Sequence, residues 1–239
     1  MPPKKQKNDN EMKSWYTIIP DSLKTKYHNP CYENHKLEVP FRMMIVGSSG
    51  SGKTTLVLEI IHRMNDTFGH ITICCANKQE PLYEYLVSKL EPEQLTVVEG
   101  YQNIPDLKAL DEEVQHLIVF DDLVLERRQD KIEEYYIRSR KIAKGVSCIY
   151  LTQSYFAVPK TIRLQCGYIL LKKLSSMRDL GFIVNDFNVG IEKEDLFEMY
   201  RHATDNQRDF LLVDMVCPPE ERFRLNFLNI IDVSQFLQL

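Results

Sequence analysis

The chain has 239 residues, 44% of them hydrophobic and 27% charged, and its formal net charge is −4. This length can bury a proper core, so we expect one large domain. No apolar run approaches the roughly 20 residues that cross a bilayer, which predicts a soluble protein with no membrane partner. No secretory signal is expected at the N-terminus, and the weakly acidic composition predicts that any contact with nucleic acid is local.

Residues 1–40 are expected to form a tail and an arm that precede the folded domain, which we place at 41–239. The first ten or so residues are polar and rich in lysine, which favours a mobile tail. Prolines then recur among scattered aromatic residues, at Pro20, Pro30 and Pro40. That composition predicts an irregular arm, which packs either on its own domain or on a neighbouring subunit.

From residue 41 onward, apolar runs alternate with amphipathic segments, the pattern of βαβ units. Strands are predicted at 41–46, 70–76, 95–98, 117–120, 146–152 and 167–172. Helices are predicted at 54–64, 81–90, 104–114, 131–144 and 192–202, and a final hairpin pairs 210–216 with 222–227. The pattern predicts an α/β fold with a central, mainly parallel β-sheet flanked by helices. The last helix and the hairpin extend this domain from about residue 190.

A glycine-rich segment joins the first predicted strand to the first predicted helix. It reads Gly47-Ser48-Ser49-Gly50-Ser51-Gly52-Lys53-Thr54, followed by Thr55. Glycines in this pattern let successive backbone N–H groups converge on phosphates at the positive end of the following helix. Lys53 is expected to reach the β- and γ-phosphates, and Thr54 to bind Mg²⁺ through its hydroxyl. The segment therefore predicts a P-loop NTPase with ATP and Mg²⁺ as cofactors.

Two adjacent carboxylates follow the buried strand predicted at 117–120. Because the carboxyl ends of parallel strands meet at one edge of a sheet, Asp121 is expected beside the phosphates, where it would hold Mg²⁺. Asp122 occupies the position where many hydrolytic ATPases carry an acid that polarises the attacking water. Glutamate is commoner there and has a longer side chain, so Glu126 and Glu134 remain fallback candidates.

A glutamine ends the next predicted strand, in the sequence Thr152-Gln153-Ser154. The amide of Gln153 both donates and accepts hydrogen bonds, so it is suited to orienting water beside the γ-phosphate. This third strand-end group favours a sheet with an extra strand between the strand that precedes the phosphate loop and the strand of Asp121. That arrangement defines the additional-strand class of P-loop ATPases.

Four arginines are candidates for a finger that stabilises the transferring phosphoryl group of a neighbouring subunit. They are Arg138, Arg140, Arg163 and Arg178. We favour Arg140, because its segment leads directly into the strand that ends at Gln153. For DNA phosphates, the candidate contacts are Lys160, Lys172 and Lys173.

The segment 138–186 resembles the FtsK/HerA superfamily of DNA-pumping ATPases, and more closely the genome-packaging ATPases of large DNA viruses and virophages. Two stretches carry the likeness: Ser139-Arg140-Lys141-Ile142-Ala143-Lys144-Gly145-Val146-Ser147-Cys148-Ile149-Tyr150-Leu151-Thr152-Gln153 and Leu174-Ser175-Ser176-Met177-Arg178-Asp179. Together with the phosphate loop and Asp121, the resemblance spans about residues 41–188. Asp122 departs from the commoner glutamate, and no nuclease domain is expected in the tail after Gln207.

The resemblance implies a RecA/FtsK-like fold and a homo-oligomeric ring, pentameric or hexameric, that encircles double-stranded DNA. Its implied activity is ATP-driven DNA translocation into a viral capsid, with a capsid or portal-vertex protein as partner. The implied location is the cytoplasm of a host cell, at a viral factory, with association with the virion as a further expectation.

Two other functions are compatible with the phosphate loop. The sequence Gly52-Lys53-Thr54-Thr55 also suits a small-molecule or nucleoside kinase, although a kinase needs an arginine-bearing lid and has no need of Gln153. A nucleotide-gated interaction protein that hydrolyses slowly is the other alternative. Phosphoryl transfer to an acceptor distinguishes the first alternative, and very slow turnover distinguishes the second.

Overall fold

A nine-stranded sheet organises the computed structural model, which describes residues 13–126, 128–187 and 189–236. The strands are β1 (Arg42–Val46), β2 (His70–Cys75), β3 (Leu95–Glu99), β4 (His116–Asp121), β5 (Val146–Thr152), β6 (Tyr168–Leu171), β7 (Leu211–Asp214), β8 (Phe223–Leu225) and β9 (Asn229–Ile230). The helices are α1 (Trp15–Ile18), α2 (Lys53–Arg63), α3 (Pro81–Val87), α4 (Asp130–Arg138), α5 (Lys160–Arg163), α6 (Arg178–Asp186) and α7 (Lys193–Ala203). The lysine-rich tail expected at the N-terminus lies outside the described residues.

The strand order is β3-β2-β4-β5-β1-β6-β7-β8-β9. Strands β1 to β6 pair in parallel, and β7, β8 and β9 continue the sheet in antiparallel pairs. Strand β5 lies between β1 and β4, which confirms the extra strand expected from Gln153. Its register pairs Thr152 with Val46 on one side and Leu151 with Asp121 on the other. The ends of these three strands therefore reach one edge of the sheet together.

Both faces of the sheet are covered, which explains why its central strands are uninterrupted apolar runs. Successive side chains of a strand point to opposite faces. Met44 and Val46 of β1 pack in a core that includes residues of α4, α5, α6 and α7. Met43 and Ile45 pack in a second core with residues of α2 and α3. The outcome is a three-layer α/β domain, as the alternating pattern predicts.

The later part of the arm, from His28 to Leu37, packs on its own domain, whereas residues 13–26 are largely exposed. His35 and Leu37 are fully buried, and Leu37 belongs to the core that includes α2 and α3. The backbone N–H of His28 donates to Gln115 Oε1 at 2.5 Å, and Gln115 Nε2 donates to the carbonyl of His28 at 2.9 Å. These contacts are those expected of an arm that packs on its own domain, while packing of residues 13–26 on a neighbouring subunit stays a prediction.

The helix predicted at 104–114 is wrong. The segment contains only a 3₁₀ turn at Leu107–Ala109. Ile104 precedes a proline and is extended, with ψ of 123°, because a following proline disfavours helical geometry. The buried Leu107 and Leu110 are three residues apart, a spacing that a single 3₁₀ turn places on one side.

The helix predicted at 131–144 is shorter than expected, ending at Arg138 before a 3₁₀ turn at Ser139–Lys141. Here the buried Arg42 donates from Nη2 to Ser139 Oγ at 2.8 Å, a long-range contact that no local pattern reveals. Helix α6 is a further helix that the sequence pattern does not predict, and its interior glycine, Gly181, disfavours helix. The hairpin of β7 and β8 is confirmed, and the two-residue strand β9 adds to it.

Candidate functional site

The glycine-rich loop connects β1 to α2 in a geometry that only glycine permits at key points. Gly50 and Gly52 have positive φ angles of 73° and 88°. A Cβ on Gly47 would lie 2.5 Å from Ser51 Oγ and 2.7 Å from Lys172 Cβ, so a side chain cannot fit there. Gly52 is the N-cap of α2, and the unpaired N–H groups of that first turn form an anion site together with the loop.

Lys53 begins α2 and folds back over the loop. Its Nζ donates to the carbonyl of Gly47 at 2.9 Å and to that of Ser48 at 3.1 Å. Burial lowers the pKa of Lys53, while the carboxylates of Asp122 and Asp121 raise it. The ammonium group therefore lies within the electrostatic reach of both acids, although Asp121 comes 68 residues later in the chain.

Asp121 is the last residue of β4 and is held by an unexpected partner. The hydroxyl of Tyr83 donates to Asp121 Oδ2 at 2.6 Å. Burial raises the pKa of Asp121, and the hydrogen bond from Tyr83 opposes that rise because it stabilises the charged form. The carboxylate thus lies partly buried at the strand end, close to the phosphate loop, as the sequence predicts for a magnesium ligand.

Asp122 and Gln153 contact each other at the ends of the adjacent strands β4 and β5. Gln153 Nε2 lies 3.3 Å from Asp122 Oδ2 and 3.5 Å from Oδ1. Asp122 has a positive φ of 56°, which turns the chain sharply after β4 and re-aims its side chain relative to Asp121. The two groups expected to orient water are therefore paired in the structure.

These groups line one cleft of about 430 Å³. Its lining is Ser49, Gly50, Gly52, Lys53, Thr54, Thr55, Cys75, Ala76, Asn77, Gln79, Glu80, Leu82, Asp121, Asp122 and Gln153. Three expected residues of the loop, Gly47, Ser48 and Ser51, do not line the cleft. Ser48 anchors the loop to the chain just after β6, because its backbone N–H and its Oγ both donate to the carbonyl of Lys173. The cleft therefore brings together all the expected site residues except Arg140 and the three loop residues Gly47, Ser48 and Ser51.

Two residues of this region escaped the sequence analysis. Glu80 lines the cleft, and its charge raises the pKa of Asp121. Tyr83 lies one helical turn further along the chain. The available signal was topological, because the segment after β2 must emerge at the same sheet edge as the segments after β4 and β5.

A second cleft, of about 570 Å³, adjoins the first on the other side of the loop. The two share Gly50, Gly52 and Thr55. Its far wall includes Phe210 and Phe227, whose ring centroids lie 5.1 Å apart. Continuity between a polar cleft and a partly aromatic one fits a nucleotide, which joins charged phosphates to a flat base.

Lys172 forms part of this second wall and is not a DNA contact. Only 3% of the residue is exposed, and its Nζ donates to the carbonyls of Gln207 and Arg208 at 2.9 Å and of Asp209 at 3.2 Å. The expectation for Lys172 was therefore wrong, because a lysine at a strand end is here used to fix a loop. Lys160 and Lys173 are exposed, and their proposed contacts stay predictions.

The four candidate arginines differ in their surroundings. Arg163 is buried, lies 3.3 Å from Asp186 in an ion pair and covers the ring of Tyr155. Arg138 forms an ion pair with Glu134 at 3.1 Å. Glu134 is one of the two fallback candidates for the acid that polarises water. Arg140 is exposed in the turn before β5, at the opposite sheet edge from Gln153. It therefore does not reach the cleft of its own chain.

Arg178 is the remaining arginine and lies at the carboxyl edge of the sheet. Its guanidinium group sits over the rings of Phe156 and Phe182, at 5.2 and 5.4 Å. The next residue, Asp179, accepts hydrogen bonds from Ser154 Oγ at 3.0 Å and Phe156 N at 3.1 Å. Arg178 is thus connected through Asp179 to the segment that follows Gln153.

The donor set fits Mg²⁺ bound together with a nucleotide. Within the described ranges, no three His, Cys, Asp or Glu side chains cluster to hold a metal by themselves. Mg²⁺ is usually held by one or two protein oxygens, waters and substrate phosphates, so Thr54 and Asp121 suffice.

Among the described helices, none has the length and apolar character needed to span a membrane.

Comparison with known proteins gives one family and several solved structures. The family described as Poxvirus A32 protein matches residues 30–227. One similar structure is the genome packaging NTPase B204 of Sulfolobus turreted icosahedral virus 2, solved with ATP-gammaS, which is 14% identical with a TM-score of 0.56. The match covers 82% of this chain and 100% of that chain. The DNA-packaging ATPase B204 of Sulfolobus Turreted Icosahedral Virus is 17% identical, with a TM-score of 0.54 and coverage of 80% and 98%.

A further similar structure is EssC (ATPases 2 and 3) of Geobacillus thermodenitrificans, which is 13% identical with a TM-score of 0.51. The match covers 82% of this chain and 42% of that one. Among curated proteins, none matches the sequence. At these identities the solved structures establish the fold, which is that of P-loop ATPases.

Proposed function

Because the chain belongs to the poxvirus A32 protein family, we propose that it is an ATPase that packages viral double-stranded DNA into a capsid. The observation that carries this proposal is the meeting of Lys53, Asp121 and Gln153 at one cleft, around a sheet with an extra strand between β1 and β4. A phosphate loop alone would suit many enzymes. The added glutamine favours hydrolysis by water over transfer to a bound acceptor.

Each group in the cleft has a task in binding or hydrolysis. The N–H groups of the loop and of the first turn of α2 would bind phosphate oxygens, and Lys53 would exchange its loop carbonyls for them. Thr54 and Asp121 would hold Mg²⁺, which when bound neutralises charge that develops on the phosphates. Asp122 would polarise the attacking water, and Gln153, already paired with Asp122, would orient it.

The nucleotide base and ribose would occupy the second cleft, beside Phe210 and Phe227. The phosphate loop forms the common wall of both clefts, so one molecule can span them. ATP is the nucleotide that we propose, on the basis of the fold and the phosphate site. Both rings are only 3% exposed and Arg63 covers that of Phe227, so this wall would add packing to a bound base without offering an open face for stacking.

We extend the proposal to a ring of five or six copies around DNA, with Arg140 as the finger that reaches a neighbour's phosphates. Its exposure and its distance from its own cleft are compatible with action on another subunit. Arg178 is the rival, because it lies at the edge that carries Gln153. Lys160 and Lys173 would contact DNA phosphates, and a capsid or portal-vertex protein in the host cytoplasm would anchor the ring.

The test is ATP hydrolysis by the purified protein with and without duplex DNA. The proposal predicts that DNA stimulates hydrolysis and that Lys53→Ala lowers the rate by at least about a hundredfold, because charge stabilisation at the phosphates is lost. Lys108→Ala, at an exposed lysine remote from the cleft, is the matched control and keeps the wild-type rate. A rate indifferent to DNA would contradict packaging.

The same preparation separates the alternatives. Phosphate found on a nucleoside or another small acceptor, in place of free phosphate, would support a kinase. Very slow turnover in the presence of DNA would support a nucleotide-gated interaction protein. Either result would replace the packaging proposal while leaving the nucleotide site in place.

A further inference from the structure

Tyr83 lies in the first helical turn after β2, and its hydroxyl makes one well-directed polar contact among the described residues. Its side chain is 1% exposed, and its hydroxyl donates to Asp121 Oδ2 at 2.6 Å. The two residues are 38 positions apart in sequence, so the contact depends on the fold. A distance of 2.6 Å is typical of a hydroxyl that donates to a carboxylate.

The ring of Tyr83 is packed in the hydrophobic core. It belongs to the core that contains Cys75 of β2 and Leu86 of α3. Pro81 occupies the first turn of α3, where its fixed φ suits a helix start and limits the conformations of that turn. A buried ring on a constrained turn leaves the hydroxyl little freedom, so it fixes the carboxylate rather than following it.

The contact divides the tasks of the two carboxylate oxygens. Oδ2 accepts the hydrogen bond of Tyr83, while Oδ1 accepts none within residues 13–126, 128–187 and 189–236. Asp121 also lines the cleft that contains Lys53 and Thr54. Oδ1 is therefore the oxygen available to a cation, and the orientation of the carboxylate is set from the side of α3.

We infer that Tyr83 is a positioning residue for magnesium, holding the Asp121 carboxylate so that one oxygen is presented to the cation. The inference rests on the proposed function, because it assumes that the cleft binds a Mg-nucleotide. Groups that orient a metal ligand from behind influence affinity strongly, and their loss typically weakens metal binding by roughly 10- to 100-fold. The same contact connects α3 mechanically to the metal site.

The experiment replaces Tyr83 with phenylalanine and measures the Mg²⁺ dependence of binding of a fluorescent ADP. We expect Tyr83→Phe to raise the half-saturating Mg²⁺ concentration roughly tenfold, with unchanged binding of the nucleotide in EDTA. At saturating Mg²⁺, kcat returns close to the wild-type value, because the phenyl ring keeps the core packing. A split between the Mg²⁺ midpoint and kcat is a signature that a structural defect would not give.

The matched control is Tyr136→Phe. Tyr136 is also 1% exposed, and its hydroxyl donates to the carbonyl of Met43 at 2.7 Å, away from the carboxylates. This variant loses a comparable buried hydrogen bond and is expected to keep the wild-type Mg²⁺ midpoint. An equal shift in both variants, or an unshifted midpoint in Tyr83→Phe, would overturn the inference while DNA-stimulated hydrolysis still supports the proposed function.

A measurement on the unaltered protein keeps the inference testable should Tyr83→Phe not fold. Because Tyr83 joins α3 to Asp121, adding Mg²⁺ to the ADP complex should slow amide hydrogen exchange in α3 several-fold. An amide hydrogen exchange rate in α3 that does not change on adding Mg²⁺ would contradict the inference. Failure of the wild-type protein to bind Mg-nucleotide at all would contradict the proposed function instead.

Discussion

The two edges of the parallel sheet use charged residues in opposite ways. At the carboxyl edge, Lys53 is half-buried, and its partners are loop carbonyls that phosphate oxygens can replace. At the amino edge, Arg42 is 1% exposed and donates to the carbonyls of Tyr136, Phe41 and Val146 and to Ser139 Oγ. A buried charge with fixed partners stabilises the fold, whereas a charge with exchangeable partners is available for chemistry.

The two edges also differ in what covers them. The carboxyl edge opens into the cleft lined by Lys53, Asp121 and Gln153. The amino edge is covered by packed residues of the arm, including His35 and Leu37. Substitutions at the first edge should therefore change rates, and those at the second should change stability.

The largest expected effect concerns the acid that polarises water. We expect Asp122→Asn to lower kcat by at least about a hundredfold with little change in nucleotide affinity, because the general base is lost. Glu80→Gln, in the same cleft, is the matched comparison and should cost less than about tenfold. Steady-state kinetics with a binding assay checks both. The reverse order of effects would assign the role of general base to Glu80, which is the residue type that is commoner in this role.

The next effect lies at the amino edge. Arg42→Met should lower the free energy of unfolding by about 3 kcal/mol or more, because the carbonyls that Arg42 satisfies are left buried without donors. Arg201→Met, at an exposed arginine of α7, should stay within about 0.5 kcal/mol of the wild type. Chemical denaturation measures both values. If Arg42→Met loses hydrolysis but not stability, the division between the two edges fails.

The smallest effect is acid sensitivity caused by His35. Burial lowers the pKa of His35 to about 4, and Arg63 contributes to the same shift. The neutral ring accepts a hydrogen bond from Leu37 N at Nδ1 over 3.0 Å, and within the described residues its buried Nε2 has no partner. Because the pKa in the unfolded chain is about 6.5, this stability is complete above that pH and declines as the pH falls towards 4.

The wild type should therefore lose about 2 kcal/mol more than His35→Gln between pH 7 and pH 5. His62→Gln, at an exposed histidine of α2, is the control and should follow the wild type. Denaturation midpoints at the two pH values measure the difference. Identical pH dependence of the wild type and His35→Gln would show that the arm does not bury this ring in solution.

Features encoded in short continuous segments could be predicted from the sequence. The phosphate loop, the strand that ends at Asp121 and the Thr152-Gln153 signal each lie within about ten residues, and together they gave the position of the extra strand. Tyr83 could not be predicted, because its role depends on a contact across 38 positions. Lys172 was misassigned for the same reason, since its partners lie 35 to 37 residues later.

Local patterns also failed where a long-range contact or a proline decided the backbone. The helix predicted at 104–114 assumed that apolar spacing alone sets the conformation. The prediction of a helix up to residue 144 did not include the hydrogen bond from Arg42 to Ser139, where the helix ends. The catalytic edge was thus more predictable than the structural edge, because phosphate chemistry restricts sequence more tightly than packing does.

The most direct test of the central claim is the structure of the protein with ATPγS, Mg²⁺ and duplex DNA. We expect Lys53 Nζ on the β- and γ-phosphates, Mg²⁺ beside Thr54 and Asp121, and Tyr83 still hydrogen-bonded to Asp121 Oδ2. A nucleotide bound elsewhere, with Lys53 and Asp121 facing different ligands, would contradict it.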